Sequence, residues 1–139
     1  MKKVLITGGA GFIAHHIIAH ILKNTDWDIV TLDRLDLSGN LNRLHEILDE
    51  FSAADKKRLK IVFHDLKAEI NSQIKSDLGK PDMILHLAAA SHVDRSIIYP
   101  MEFVLDNIVG TVNLLDFARS LKNLKKFVYF STDEIFGNA

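Results

Sequence analysis

Cysteine is absent from the 139 residues, and proline occurs only twice. Without cysteine the chain can form neither a disulfide framework nor a thiolate metal site, and we expect a reducing, cytoplasmic location. Charge of neither sign predominates, since 17 Lys and Arg residues oppose 18 Asp and Glu residues. This balance argues against nucleic acid as a partner. No apolar run is long enough to cross a membrane. The length predicts one domain with a sizeable hydrophobic core.

A glycine-rich stretch follows the first apolar run, residues 4–6, and precedes a segment with helical spacing. Gly8 and Gly11 allow a tight turn without side chains, and the helix beginning near Gly11 supplies free amide N–H groups. These features suit the pyrophosphate of a dinucleotide. A glycine turn alone is equally consistent with an ordinary loop, but the strand before it and the helix after it favour dinucleotide binding. Ala14 takes the third small position, which serves helix–strand packing.

A carboxylate ends the second predicted strand, residues 29–32. Asp33 lies 22 residues after Gly11, close to the roughly 20 expected for a ribose-binding acid. We expect Asp33 to accept hydrogen bonds from the adenosine ribose and to repel a 2′-phosphate, which favours NAD over NADP. The neighbouring Arg34 argues the other way, because a guanidinium can pair with such a phosphate.

The rest of the chain alternates strands with helices. Strands are predicted at residues 59–63, 83–87 and 127–130, and helices at residues 41–51, 67–78 and 101–121. Residues 91–96 are predicted to form a polar loop, and the charged residues 56–58 to be a solvated connection. Gly110 within the last helix indicates close packing or a local kink. The alternation predicts an α/β fold, a Rossmann-type doubly wound parallel sheet of strand order 3-2-1-4-5 with helices on both faces.

The histidines do not form a metal-binding pattern. His16 and His20 lie one helical turn apart, but no Glu joins them as in the zinc proteases. We expect these two side chains on an exposed helix face and predict no metal site. His92 borders the carboxyl end of the fourth strand, where an orienting role is at least as consistent with the sequence as proton transfer.

Several stretches together resemble the extended short-chain dehydrogenase/reductase family. They are residues 7–13 (TGGAGFI), 32–35 (LDRL) with 38–41 (SGNL), 91–96 (SHVDRS), 107–111 (NIVGT) and 131–137 (STDEIFG). The first is shared by the broad family, whereas SHVDRS and STDE are more specific to the nucleotide-sugar 4,6-dehydratases, those acting on dTDP-glucose in particular. The resemblance spans the whole chain. It implies NAD as the cofactor, a nucleotide sugar as the substrate and a homodimer formed through helices of this domain.

The resemblance also implies a reaction. Hydride passes from C4 of the sugar to NAD, water is lost across C5 and C6, and hydride returns at C6. Asp133 is then expected to be the acid that assists departure of the C6 hydroxyl, Glu134 the base at C5, and Thr132 a hydrogen-bonding partner of the C4 hydroxyl. Adjacent carboxyl groups can divide such roles when their surroundings separate their pKa values. Apart from the resemblance, Asp133 and Glu134 are better explained as a solvated turn.

The same resemblance assigns the residues around the cofactor and the substrate. Cofactor contacts are expected from Gly8, Gly11, Phe12, Ile13, Asp33, Arg34, Leu35, Asp36, Asp65, Leu66, Leu87, Ala88, Ala89, Ala90, Ser91 and Asp106, and substrate contacts from Ser91 and Thr132. Three residues depart from the family pattern. Ala90 replaces a usual Glu, Asp106 a common Thr, and Phe136 a usual Tyr. The first two departures leave the identity of the sugar and the base open.

The Tyr-x-x-x-Lys pair that the family uses is missing. Tyr99 and Tyr129 are followed four residues later by Phe103 and Asp133, and the nucleotide-binding C-terminal region of the family is absent as well. We therefore expect residues 1–139 to be an incomplete NAD-binding domain, the N-terminal part of a longer enzyme and inactive alone. The alternatives are an epimerase or decarboxylase of the same family, or a non-catalytic NAD-binding module.

Overall fold

Five parallel strands form the centre of the structure, a computed structural model that describes residues 2–36 and 39–137 apart from the side chains of Asp133 and Glu134. The strands are β1 (Lys3–Thr7), β2 (Asp28–Asp33), β3 (Leu59–Phe63), β4 (Met83–His86) and β5 (Lys126–Tyr129). Their order is 3-2-1-4-5 and every pair is parallel, which confirms the predicted sheet. The strand order reverses between β1 and β4, and ligands bind at that point in such folds.

The strands are joined by helical segments. These are α1 (Ala14–Asn24), α2 (Leu41–Leu48), α3 (Ala53–Lys56), α4 (Ser72–Leu78), α5 (Val93–Ile98), α6 (Pro100–Val104), a π-helical turn (Leu105–Val109), α7 (Gly110–Ser120) and a 3₁₀ turn (Asp133–Phe136). Within the described residues, none of the helices has the length and apolar character that a membrane crossing requires.

The hydrophobic core forms one layer on each face of the sheet. Alternate residues of a strand point to opposite faces, so Leu5 of β1 packs with Leu114 of α7, whereas Ile6 packs with Ile18 of α1. All four side chains are fully buried. Helices cover both faces, as predicted, and β1 is held from both sides just before the glycine turn.

The helix predicted at residues 67–78 begins later than expected, at Ser72. Asp65 holds the preceding segment in a turn, because its Oδ1 accepts the N–H of Lys67 at 3.0 Å and its carbonyl accepts the N–H of Ala68 at 2.9 Å. Asn71 then caps α4. Short polar side chains that bond to nearby backbone favour turns and caps over helix interiors.

The polar loop predicted at residues 91–96 is wrong over most of its length. Residues from Val93 onward form α5, with Asp94 in the first turn, where a carboxylate interacts favourably with the helix dipole. Within residues 91–96, only Ser91 and His92 belong to the connection between β4 and α5. The polar composition of residues 91–96 does not distinguish a loop from a short exposed helix, because such helices also consist largely of polar residues.

The long helix predicted at residues 101–121 is present but contains a π-helical turn. Gly110 stands at the end of that turn, and a Cβ there would lie 3.2 Å from Cβ of Leu66. The expectation of close packing at Gly110 is thus confirmed. A π turn spans about one residue more than an α-helical turn, so the residues after it are rotated about the helix axis. This rotation changes which side chains face the sheet edge.

The charge run at residues 56–58 is only partly the solvated connection that the sequence predicts. Arg58 is half-buried, and its guanidinium donates to the carbonyls of Leu22, Thr25 and Trp27 at 2.6, 2.9 and 3.0 Å. Arg58 therefore ties the end of α1 to the start of β3, a structural role that the pattern of charges did not reveal.

Candidate functional site

The glycine turn lies directly against the end of β4. Gly8 has φ of +71°, and a Cβ on it would lie 3.0 Å from backbone N and Cα of Ala88. The N–H of Gly11 donates to the carbonyl of Gly8 at 2.9 Å. Both the positive φ and the close approach require glycine at position 8. The turn between β1 and α1 consequently keeps its backbone free of side chains at the point where the strand order reverses.

Asp33 braces this turn from β2. Its carboxylate is buried, accepting the N–H of Ala10 on Oδ2 at 2.9 Å and that of Leu35 on Oδ1 at 2.8 Å. A Cβ on Gly39 would lie 3.0 Å from Oδ1 of Asp33, so the following loop also needs glycine there. Each carboxylate oxygen can accept two hydrogen bonds, and Asp33 keeps capacity to accept one from a ligand hydroxyl.

One cleft at the carboxyl edge of the sheet gathers most of the predicted cofactor residues. Those that line it are Gly8, Gly11, Asp33, Arg34, Asp36, Asp65, Leu66, Leu87, Ala88, Ala89, Ala90 and Asp106. The lining includes residues of both the glycine turn and the π turn. We call this space the carboxyl-edge cleft.

Five predicted site residues do not line the carboxyl-edge cleft. Phe12 and Ile13 are exposed just before α1 and border an open surface hollow with His16 and His20. These two histidines are exposed, as expected. The others are Leu35, which packs into the core layer beneath α1 and α2, and Ser91 and Thr132, which are exposed. The side chains of Asp133 and Glu134 lie outside the described part of the structure.

The sequence did not identify several residues that line the cleft. They are Leu32, Gly39, His64, Arg95, Glu102 and Phe103. His92 also lines the cleft, at the position expected from the sequence. Glu102 and Phe103 lie four and three residues before Asp106, so helical spacing from Asp106 could have found them. No group of three or more metal-ligating side chains is close enough to hold an ion among residues 2–36 and 39–137.

A network of charged side chains closes one end of the cleft. The guanidinium of Arg34 donates to both carboxylate oxygens of Asp106, at 2.5 and 2.8 Å, and to Oδ2 of Asp36 at 2.9 and 2.6 Å. Asp65 lies 3.6 Å from Arg34, and Lys67 lies 3.4 Å from Asp65 and from Asp106. The hydrogen bonds from Arg34 hold the pKa of Asp106 below its ordinary value, against the opposing effect of burial.

A buried histidine connects the two central strands below the cleft. His86 Nδ1 lies 2.7 Å from Oγ1 of Thr7, and His86 Nε2 lies 3.0 Å from Oγ1 of Thr111. Thr7 already accepts two N–H groups from the loop after β4, so its hydroxyl hydrogen goes to Nδ1. Thr111 donates to the carbonyl of Asn107 at 2.6 Å, so it accepts from Nε2. Burial lowers the pKa of His86 to about 4, and the ring is the neutral Nε2–H tautomer.

The same network reaches the cleft wall. The amide of Asn107 brackets the backbone of Ala90, accepting its N–H at 2.8 Å and donating to its carbonyl at 3.0 Å. Hydrogen bonds thus run from Thr7 through His86 and Thr111 to Ala90. This arrangement fixes the small residues after β4 relative to the glycine turn.

Comparison with known proteins agrees with the fold. The chain is 41% identical to dTDP-glucose 4,6-dehydratase of Salmonella typhimurium over 98% of its own length and 38% of that enzyme. It is also similar to the structure of a dTDP-glucose 4,6-dehydratase double mutant from Streptomyces venezuelae with NAD bound, at a TM-score of 0.84 and 32% identity, covering 98% of this chain and 41% of that one. UDP-glucose 4-epimerase of Bifidobacterium longum, in complex with NAD⁺ and UDP, gives a TM-score of 0.82 at 27% identity, covering 98% and 38%.

The chain spans about two fifths of the length of these relatives. Residues 5–139 match the sequence model of one family, described as GDP-mannose 4,6-dehydratase. The match covers nearly the whole sequence, from β1 through the STDE stretch. The chain therefore belongs to the GDP-mannose 4,6-dehydratase family.

Proposed function

We propose that this chain is the NAD-binding part of a dTDP-glucose 4,6-dehydratase. The observation that carries the proposal is the carboxyl-edge cleft, in which the bare backbone at Gly8 meets the small residues after β4 beside Asp33. Similarity to dTDP-glucose 4,6-dehydratases supports the substrate, and the NAD bound in similar structures supports the cofactor.

The residues in the cleft fit NAD. The glycine turn precedes α1, whose first N–H groups and dipole favour the negative pyrophosphate. Asp33 has acceptor capacity for a ribose hydroxyl. The absence of large side chains at Ala88, Ala89 and Ala90 allows a nicotinamide ring to approach the backbone after β4. NAD bound there would take hydride from C4 of the sugar and return it at C6.

The family resemblance implies that the chain's own groups would carry the proton transfers of the elimination, whereas the C4 hydroxyl proton would pass to the Tyr of a Tyr-x-x-x-Lys pair, which residues 1–139 do not contain. Asp133 would donate a proton to the departing C6 hydroxyl, which leaves as water, and Glu134 would take the proton from C5 and return it there when hydride adds to C6. Thr132 holds the C4 hydroxyl. All three follow β5, next to β4 in the sheet. An epimerase needs no elimination step, so two adjacent carboxyl groups at this position favour a dehydratase.

Cofactor binding is tested by calorimetric titration of NAD into the chain and into Gly8→Ala. The added Cβ would strain the positive φ and meet the backbone of Ala88, so we expect NAD affinity to fall at least about tenfold. Gly79→Ala is the matched control, since Gly79 has φ of +69° and its new Cβ would meet only the flexible end of Lys3. Equal binding by both variants, with folded spectra, would contradict the proposed site.

The chemistry is tested in a chimera in which this chain replaces the matching part of the Salmonella enzyme. We expect the chimera to remove water from dTDP-glucose, detected by mass spectrometry of the product. Asp133→Asn and Glu134→Gln should each lower the rate by about 10²-fold or more. A chimera that binds NAD but leaves dTDP-glucose unchanged, while dehydrating another nucleotide sugar, would transfer the proposal to that sugar.

We also infer a homodimer, from an apolar stripe on the helices after β4. Met101, Leu105, Ile108, Val112 and Leu115 follow one another at intervals of four and three residues, and each is between 41% and 64% exposed. All five remain exposed although the π turn interrupts the helical spacing, and an exposed apolar surface of this kind can pack against a second helix. Sedimentation velocity should show a dimer that Ile108→Glu dissociates and that the exposed-residue control Lys122→Glu leaves intact. A monomeric wild type would contradict the inferred dimer.

A further inference from the structure

Arg34 and Asp106 join two walls of the carboxyl-edge cleft. Arg34 follows β2 and Asp106 belongs to the π turn, 72 residues further along the chain. The two side chains meet through a bidentate contact of 2.5 and 2.8 Å, and the carboxylate of Asp106 is only 11% exposed. Bidentate pairing of this kind fixes the plane and direction of a guanidinium.

This contact decides what Arg34 can bind. A guanidinium has five N–H groups, and four of them donate to Asp106 and Asp36. The surrounding carboxylates of Asp33 and Asp65 add further negative charge to the same end of the cleft. A 2′-phosphate on a ribose held by Asp33 would meet this negative charge, and Arg34 could neutralise it only by leaving its partners.

We propose that Asp106 sets the cofactor selectivity of the cleft by holding Arg34 away from the 2′-phosphate that distinguishes NADP from NAD. The inference rests on the proposed function, because it needs a dinucleotide in the cleft. In this inference the discrimination between NAD and NADP depends on both Asp33, which would face the ribose, and Asp106 of the π turn. Asp106 is accordingly a specificity-determining residue, and its effect acts through Arg34.

The test is calorimetric titration of NAD and NADP into the wild type, Asp106→Asn, Arg34→Met and the double variant. Asp106→Asn keeps the shape of the side chain but removes the carboxylate charge that holds one side of the guanidinium, which then keeps only its bonds to Asp36. We expect the ratio of NADP to NAD affinity to rise about tenfold. The rise should disappear in the double variant and shrink at high salt. Asp116→Asn is the matched control, since Asp116 pairs with Arg119 on the surface of α7.

Arg34→Met alone gives an independent result. Because Arg34 is held by Asp106 in the wild type, removing it should leave the NADP to NAD ratio within about twofold. A selective loss of NADP affinity in Arg34→Met, or an unchanged ratio in folded Asp106→Asn, would overturn the inference while NAD binding by the wild type upholds the cofactor. A folded wild type that binds neither dinucleotide would overturn both.

Discussion

At the scale of single residues, His86 shows how a buried polar group can join two strands. Its ring occupies one tautomer because both threonine hydroxyls beside it have their other hydrogen bonds committed. A charged ring would also carry a hydrogen on Nδ1, opposite Oγ1 of Thr7, which already accepts two backbone N–H groups. The buried charge would therefore lose its hydration without gaining a hydrogen bond in exchange. Folding therefore favours the neutral ring.

This preference predicts a dependence of stability on pH. The pKa of His86 falls from 6.5 to about 4 on folding, so the unfolded chain binds the proton more tightly. The contribution of His86 to the free energy of unfolding is fully present above pH 6.5 and is lost as the pH falls towards 4. We expect a loss of about 2 to 3 kcal/mol between pH 7 and pH 4.5, measured by urea denaturation.

The matched variant for this measurement is His86→Gln, which keeps hydrogen-bonding groups but does not titrate. Subtracting its pH profile removes the contributions of the carboxylates that both proteins share. Parallel profiles for the two proteins would show that His86 is not the source of the pH dependence.

Residue roles were predictable where a position in the sequence determines a position in the fold. Asp33 was placed at the cleft because it ends a strand, but its bonds to Ala10 and Leu35 depend on the path of the loops. His86 gave no signal, because a histidine in an apolar strand resembles any other core residue. Its partners lie 79 and 25 residues away in the chain, and only tertiary structure brings them together.

At the scale of elements, the joint between α1 and β3 depends on Arg58. Its guanidinium satisfies three carbonyls, two of which follow the last turn of α1. These acceptors would lack a partner in Arg58→Met, whose apolar stem keeps most of the packing. We expect a loss of about 2 kcal/mol in the free energy of unfolding, measured by chemical denaturation.

Lys56→Met is the control for this prediction. Lys56 is exposed and its Nζ lies 3.7 Å from Asp49, a surface pair that contributes little. Its replacement should change stability by no more than about 0.5 kcal/mol. Similar effects of the two substitutions would indicate that the three carbonyl contacts do not stabilise the joint.

Element boundaries were predictable where apolar periodicity is strong and failed where polar side chains decide them. All five strands were found because each is a short apolar run. The start of α4 was missed, since Asp65 and Asn71 hold their own backbone contacts there. The π turn was indicated only indirectly, by a glycine in a helix, because the sequence does not show that Gly110 must pass Leu66 closely.

At the scale of the whole molecule, the topology followed from the alternation of strands and helices, since right-handed crossovers leave few ways to connect a parallel sheet. The sheet is also the reason that the two core layers belong to one cooperative unit. Each strand of the centre contributes side chains to both layers. Loss of one layer would expose the strands that support the other.

This coupling predicts that both layers unfold together. Ile18→Val removes a methylene from the layer beneath α1, and Ile84→Val removes one from the opposite layer, and each should cost about 1 kcal/mol. Ile18 and Ile84 are fully buried in different layers, so the two losses should add to within about 0.5 kcal/mol in the double variant.

Fluorescence of Trp27, the single tryptophan, reports on the α1 layer, whereas far-ultraviolet circular dichroism reports on the whole chain. If the fluorescence and circular dichroism transitions in urea coincide in the wild type, in both single variants and in the double variant, the two layers form one cooperative unit. An earlier fluorescence transition in Ile18→Val alone would show that the α1 layer unfolds by itself, and the glycine turn and Asp33 would then lose their support before the rest of the sheet.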